Sequence, residues 1–494
     1  MTFSGIGQYV DPLIKPLADA EFGDINWKSI KIGSRGKEAI LSLLRDRHAP
    51  KTLCILCPKQ SDARALFNDL LDYLGDTTEL LFLPDADVLP YERLVVDSRT
   101  TNERITTLSQ LAKQPKHLIV VASVGAALRK TLSPDTFDKD ALGFLNITPG
   151  QDLISTNAFL ERLVDMGYKN VTMVEAPGTF SSRGGIIDLY SPNHSYPLRI
   201  DLWDTEIESI RYFDVNTQRS VQDIDSDVSI IVSSEQLQAA INEDIFAAKI
   251  KELNYSDCNR DIADRIRQDL EILQEVSDPE SFEFYNGFFN DSTLFDYLNQ
   301  DSVLVFDRQN LIKEEAKLIL EKIEKISSSR CERGDLPRGF VSPIASFEQA
   351  IIPDESINLD TYGVDESNNL FGPPKQYAGN LEEFIADVTD IGSAHTNVIV
   401  TRQSFSRIKS LLESSDANNY HSLEGVTDYC LEPGQCYLLE RDLSLGWNAK
   451  LTASSELRIY TDFEIFGVSR SSGNWQSANE KRQTGYKSLE DLDV

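Results

Sequence analysis

The sequence predicts an α/β multidomain protein: a doubly wound domain carrying an inserted small α+β domain, followed by a small α/β domain. Three observations predict it. Strand and helix patterns alternate through the first 145 residues. Near Ile147 they give way to short strands separated by turn residues. Between a strand and a helix, residues 31–38 read Lys-Ile-Gly-Ser-Arg-Gly-Lys-Glu, a degenerate phosphate loop. A chain of 494 residues also exceeds what one core ordinarily serves.

Taken in order, Trp27–Ile30 leads into the loop as a strand, and a helix begins near Lys37. Leu53–Cys57 is an apolar run stopped by Pro58, a buried strand. Asp62–Leu74 sets Ala63, Leu66, Leu70, Leu71 and Leu74 at helical spacing and ends at Gly75, suited to a C-cap. Leu80–Leu83 is a strand stopped by Pro84, Arg99–Ala112 a helix, and His117–Ala122 a strand with a helix opening at Ser123. This rhythm implies a mostly parallel sheet and a first domain over 1–145.

Residues 146–233 form the insertion: a helix over Ala158–Met166, then strands over Val171–Val174, Gly185–Tyr190, Pro197–Trp203 and Ile207–Asp214, with turns at Pro177-Gly178 and Pro192-Asn193. Residues 234–288 read as charged helices; a strand at Ser302–Phe306 and a helix at Leu311–Ile326 complete the first sheet within 234–344, and Ser327–Ser329 opens a polar connection. The chain restarts over 345–468, with helices at Leu381–Val388 and Phe405–Leu412 and strands at Asn397–Thr401, Cys436–Leu439 and Leu457–Thr461. Residues 469–494 lack periodicity and read as a flexible linker.

Composition narrows the function. Hydrophobic content of 41% is globular, and no apolar run approaches the ~18 residues that span a bilayer. The N-terminus lacks signal-peptide regions, and six scattered cysteines are too sparse for a disulfide framework, which points to a cytoplasmic protein with no membrane partner. A net charge of −31 argues against tight nucleic-acid binding by this chain. Nothing demands more than a monomer. Cys54 and Cys57 fall inside a strand with no second pair at metal spacing, so they read as packing, and no metal site is expected. His48, His117, His194, His395 and His421 have no triad partners, and no G-x-S-x-G occurs, so no catalytic residues are expected.

A working phosphate loop reads G-x-x-x-x-G-K-[ST]. Of the stretch through Gly33, Ser34, Gly36, Lys37 and Glu38, only Gly36 and Lys37 hold their places. Lys31 stands for the first Gly and Glu38 for the Mg²⁺-holding hydroxyl, where a carboxylate repels the γ-phosphate. The nearest acidic motifs, Asp354-Glu355-Ser356 and Asp365-Glu366-Ser367, lie in polar stretches and read as loops. Two readings stand: a helix start that binds no nucleotide, or an active ATPase. On the insertion, Arg199, Asp201 and Trp203 share one strand face opposite Leu198, Ile200 and Leu202, with Arg183 nearby. Arg and Trp are the residue types of binding hot spots, and an ordinary solvated face is the alternative.

Several segments together resemble the N-terminal part of the bacterial transcription-repair coupling factors and, more distantly, the excision-repair protein UvrB. They are Phe82–Asp85 through Leu89–Glu92, Ile119–Val124, Phe180–Leu189, Leu198–Asp201 to Glu206–Arg211, and Thr461–Gly467. The resemblance implies a RecA-like, UvrB-like domain 1a over 1–145, domain 2 over 146–233, domain 1b over 234–344, domain 3 over 345–468 and a linker over 469–494. It further implies that the linker leads toward an RNA-polymerase-binding domain and a translocating motor outside this chain. Only six residues separate Tyr91 from Ser98, which leaves no room for UvrB's damage-probing hairpin. The resemblance also implies a UvrA-binding surface at Arg183, Arg199, Asp201 and Trp203, the Trp standing for a Phe-like aromatic. In the intact family this surface is masked by the C-terminal region. The implied function is a non-catalytic adaptor that recruits UvrA to excision repair and has no cofactor of its own. ATP, Mg²⁺, RNA polymerase and duplex DNA would be engaged only through the missing C-terminal domains. The alternative is a UvrB-like P-loop ATPase.

Overall fold

Strands that are apolar along nearly their whole length are buried on both faces, as Leu53–Cys57, Ile119–Ser123 and Val303–Asp307 are in the first sheet. The computed structural model describes residues 5–22, 29–32, 35–48, 51–75, 80–86, 90–93, 97–114, 117–138, 141–235, 243–275, 282–350, 353, 355–360, 370–390, 394–415, 419–423, 426 and 429–467. The chain opens with α1 (Gly7–Phe22), β1 (Ser29–Lys31), α2 (Lys37–His48), β2 (Leu53–Cys57), α3 (Gln60–Leu74), β3 (Leu80–Leu83), α4 (Ser98–Ala112), β4 (Ile119–Ser123) and α5 (Val124–Leu128). Gly75 ends α3 at φ 68°, and Ser123 caps α5 by accepting from the Ala126 amide.

The insertion follows: β5 (Phe144–Ile147), α6 (Thr156–Asp165), β6 (Lys169–Asn170), β7 (Thr179–Arg183), β8 (Ile186–Tyr190), β9 (Leu198–Trp203), β10 (Glu206–Phe213), β11 (Ser220–Ile224) and β12 (Val228–Ile231). Its entering strand β5 pairs antiparallel with its leaving strand β12, so both crossings run through one two-stranded ribbon. Then come α7 (Glu243–Lys251), α8 (Arg260–Glu275), α9 (Asn286–Phe289), β13 (Val303–Asp307), α10 (Gln309–Glu332) and β14 (Glu355–Asp360). The last unit holds α11 (Leu381–Val388), β15 (Thr396–Val400), α12 (Phe405–Ser414), β16 (Tyr420–Ser422), β17 (Cys436–Leu439), β18 (Asn448–Lys450), β19 (Glu456–Tyr460) and α13 (Asp462–Phe466).

The first sheet is parallel throughout, in the order β1-β14-β13-β2-β4-β3. Alternation splits its residues between two cores. Leu53, Ile55, Val121 and Val305 point to the side of α1, α2 and α3, in a core shared with Trp447, Leu443 and Ile459 of the last unit. Cys54, Leu56, Val120 and Phe306 point to the side of α4 and α10, in a core that runs on into the insertion. The last unit's sheet is mixed, ordered β16-β17-β15-β19-β18.

Four expectations need correction. The strand expected at Val171–Val174 lies earlier, as the short β6, and β7 is an additional strand. Ser327–Ser329 continue α10 to Glu332 instead of opening a connection. Glu355 and Ser356 belong to strand β14, where Ile357 and Leu359 are buried between β1 and β13. Two apolar residues among polar ones gave too weak a signal for an interior strand. Residues 355–360 therefore lie in the first sheet, although 345–468 was read as one unit. Asp365-Glu366-Ser367 and the 469–494 linker lie outside the described residues.

Candidate partner-binding surface

The insertion's main sheet runs β11-β10-β9-β8-β7-β6. One face carries Leu198, Ile200, Leu202, Ile187, Leu189 and Phe180 into the core, closed by Phe159 and Leu163 of α6. The opposite face carries the candidate residues. The β7–β8 turn is Gly184-Gly185, with Gly184 at φ 62°, the position that hairpin geometry gives to glycine. At Gly185 a Cβ would lie 2.7 Å from the Leu202 carbonyl oxygen. The β9–β10 turn bends at Asp204, φ 56°. Because the strands are antiparallel, both turns lie at the same end of the sheet.

Register decides which candidates meet. Arg199 stands opposite Asp188 on β8 and Arg211 on β10; Asp201 stands opposite Ile186 and Ser209; Ile186 stands opposite Arg183. Arg199 donates from Nε and Nη2 to the two Asp188 oxygens at 2.6 and 2.8 Å, and its guanidinium covers the Phe213 ring at 4.5 Å. Asp201 is ion-paired with Arg211 and accepts from Ser209 Oγ at 2.8 Å. These two candidates are thus engaged within the sheet. Arg183 is exposed; its guanidinium donates to the Thr172 carbonyl and has no carboxylate partner among the described residues. Trp203 is 75% exposed at the open end of β9.

Sequence reasoning missed several neighbours. Ile186 is exposed between Arg183 and Asp201, and Ile154 is 97% exposed beside Leu153, whose amide donates to the Thr205 carbonyl. Asp188 escaped notice because only strand register shows what faces Arg199. At the base of the insertion, Glu235 is buried and accepts from Arg104 Nε at 2.6 Å and Thr131 Oγ1 at 2.8 Å.

The described residues of the stretch that resembles a phosphate loop are engaged as well. Gly33 and Ser34 lie outside the described residues. Gly36 has φ 73°, and a Cβ there would lie 2.5 Å from the Phe371 ring. Lys37 Nζ pairs with Asp307 Oδ1 at 2.6 Å, and Asp307 also accepts from Arg308 at 3.2 Å. Glu38 is buried and accepts from Trp447 Nε1 at 2.7 Å. Burial, then the nearby Asp69, pushes the Glu38 carboxyl up to about 7. Cys54 and Cys57 are buried, and burial pushes the Cys54 thiol up to about 12. No group of three or more His, Cys, Asp or Glu among the described residues is placed to hold a metal, and no described helix is long and apolar enough to cross a membrane.

The family model described as the UvrB interaction domain matches residues 145–235, the span from β5 to the buried Glu235. The transcription-repair-coupling factor of Staphylococcus haemolyticus is 28% identical over 96% of this chain and 41% of its own length. That of Staphylococcus epidermidis gives the same figures, 28%, 96% and 41%. The Staphylococcus aureus protein is 32% identical over 61% of this chain and 26% of its own length. The chain spans about two fifths of the length of the first two relatives. Along 96% of its residues the chain is therefore similar to the transcription-repair-coupling factors, and residues 145–235 match the model of the UvrB interaction domain.

Proposed function

We propose that this chain is a non-catalytic adaptor whose inserted sheet recruits UvrA in transcription-coupled excision repair. The observation that carries the reading is the pairing of an exposed, flat aromatic with a guanidinium free of carboxylates at one end of the sheet: Trp203 is 75% exposed, and Arg183 lies on the second hairpin at that end. Trp203 supplies apolar area to bury and Arg183 a charge for a partner carboxylate. Arg199 and Asp201, at 2.6–2.8 Å from Asp188 and Ser209, hold the face between them in a fixed charge pattern. The first unit is proposed to be a doubly wound, P-loop-type domain that has lost nucleotide chemistry. Lys37, the residue that would reach the phosphates, is paired with Asp307, and Glu38 fills the hydroxyl position.

The test is a quantitative UvrA pull-down with Arg183→Ala and Trp203→Ala, singly and together. Each truncation is expected to weaken binding by ~2 kcal/mol or more, with unchanged thermal melting. Undiminished binding by the double variant refutes the assignment. The ATPase alternative is met by calorimetric titration with Mg-ATP, where micromolar binding lost in Lys37→Ala would restore it.

A further inference from the structure

The start of α2, where a phosphate loop would receive its ligand, is built into an interface with the last unit. Arg35 Nη1 donates to Glu464 Oε1 at 2.6 Å and to the Gly446 carbonyl. Glu464 is fully buried, and its Oε2 accepts from the Gly446 amide at 2.9 Å and from Thr461 Oγ1 at 2.7 Å. One residue along, the Trp447 indole N–H donates to Glu38 at 2.7 Å. Phe371 crosses the Trp447 ring edge-on at a centroid distance of 4.6 Å and lies over Gly36. Phe371 is fixed in turn by Gly372, which exchanges two 2.9 Å backbone hydrogen bonds with Asn448 next to Trp447. The contact continues along α3, where Asp69 accepts from the Ser444 amide at 2.8 Å and Asp72 from Arg402 at 2.7 Å.

These contacts use what a nucleotide would need. A helix N-terminus favours negative charge, and here the first turn has Glu38 as its own carboxylate. The cationic side chain is neutralised by Asp307. The open space above the glycine is filled by an aromatic ring.

We propose that the last unit is the loop's resident ligand: Phe371, Gly446, Trp447 and Glu464 occupy the cradle formed by Arg35, Gly36 and Glu38. The first and last units consequently open together, and the loop stays closed to nucleotide even when its sequence is repaired. Two measurements on the full chain test this. In Trp447→Phe a smaller aromatic ring remains and the hydrogen bond to Glu38 is lost. Amide exchange across Lys37–Ser42 and Leu443–Ala449 is then expected to rise together, about tenfold, equivalent to about 1.4 kcal/mol. A rise confined to Leu443–Ala449 overturns the proposal. In the second measurement the repaired loop, Lys31→Gly with Glu38→Thr, is titrated with Mg-ATP by calorimetry. No binding is expected, and micromolar binding overturns the proposal.

Discussion

Replacing Glu235 by Gln removes one charge from a closed electrostatic cluster at the base of the insertion. Arg104 and Arg129 are 1% and 5% exposed there, facing Glu235 and Glu283. Arg104 reaches both Glu235 oxygens, at 2.6 and 3.3 Å, and Thr131 adds a third hydrogen bond at 2.8 Å. Asp85 adds a third carboxylate near Arg129, but Glu235 is the carboxylate that Arg104 itself holds. Burial alone would raise the Glu235 carboxyl; Arg104, Arg129 and Thr131 hold it below its ordinary range instead. Arg129, desolvated and beside Arg104, falls to about 10. Gln keeps the shape but leaves a buried positive charge uncompensated, which costs about 3–5 kcal/mol. Urea denaturation of the full chain, compared at constant slope, reads this directly. The paired exchange Arg104→Met with Glu235→Leu is expected to recover most of the loss, because both charges leave together. A cost below about 1 kcal/mol for Glu235→Gln would refute the electrostatic account. The pH sign follows from the lowered carboxyl: the stabilisation is complete above the unfolded value of 4.5 and is lost as pH falls through the lower folded value.

Three further outcomes are expected. Glu38 titrates near 7 in the folded chain against 4.5 unfolded, so the native state holds the proton more tightly and stability declines as pH rises between those values, by about 3 kcal/mol; in Glu38→Gln that slope disappears from the pH dependence of unfolding. Gly36→Ala and Gly184→Ala both strain a positive φ, at 73° and 62°, but only at Gly36 does a Cβ meet a ring. Gly184→Ala is expected to cost about 1 kcal/mol and Gly36→Ala clearly more, and equal melting shifts would show that Phe371 yields freely. In the native chain a maleimide reagent is expected to label exposed Cys430 first and to leave buried Cys54, Cys57 and Cys436 unmodified until unfolding, read by peptide mass spectrometry.

The strands most legible in the sequence were those whose signal is local. Leu53–Cys57, Leu80–Leu83 and Cys436–Leu439 have the expected bounds because an unbroken apolar run needs no knowledge of its neighbours. Gly75 and Ser123 marked helix ends by their own backbone and side-chain chemistry. Strand β14 escaped because its place between β1 and β13 is a fact about distant segments. The site divides in the same way. Period-two spacing put Arg199, Asp201 and Trp203 on one face, and they lie on one face. That Arg199 is matched by Asp188, and Asp201 by Arg211, depends on the β8–β9 and β9–β10 registers, the second of which turns at Asp204. Trp447 and Phe371 stand more than 300 residues from Gly36, and no local pattern ties them together.

The two loop residues that match a working motif are therefore weak witnesses to nucleotide chemistry. Gly36 is required by φ 73° and by the Phe371 ring 2.5 Å from where a Cβ would stand. Lys37 is required by Asp307, which is 3% exposed and would be left without its lysine partner if Lys37 were removed. Of the two residues that depart from the motif, Glu38 has an equally direct reason, since it gives the Trp447 indole a buried acceptor. Each of the three is accounted for by contacts inside the chain, so neither the match nor the mismatch needs a nucleotide to explain it. Trp203 and Arg183 are the opposite case. Among the described residues no packing at the end of β9 accounts for a Trp that is three-quarters exposed, and no carboxylate accounts for Arg183. Residues left unexplained by a fold's own contacts are where a partner is to be sought.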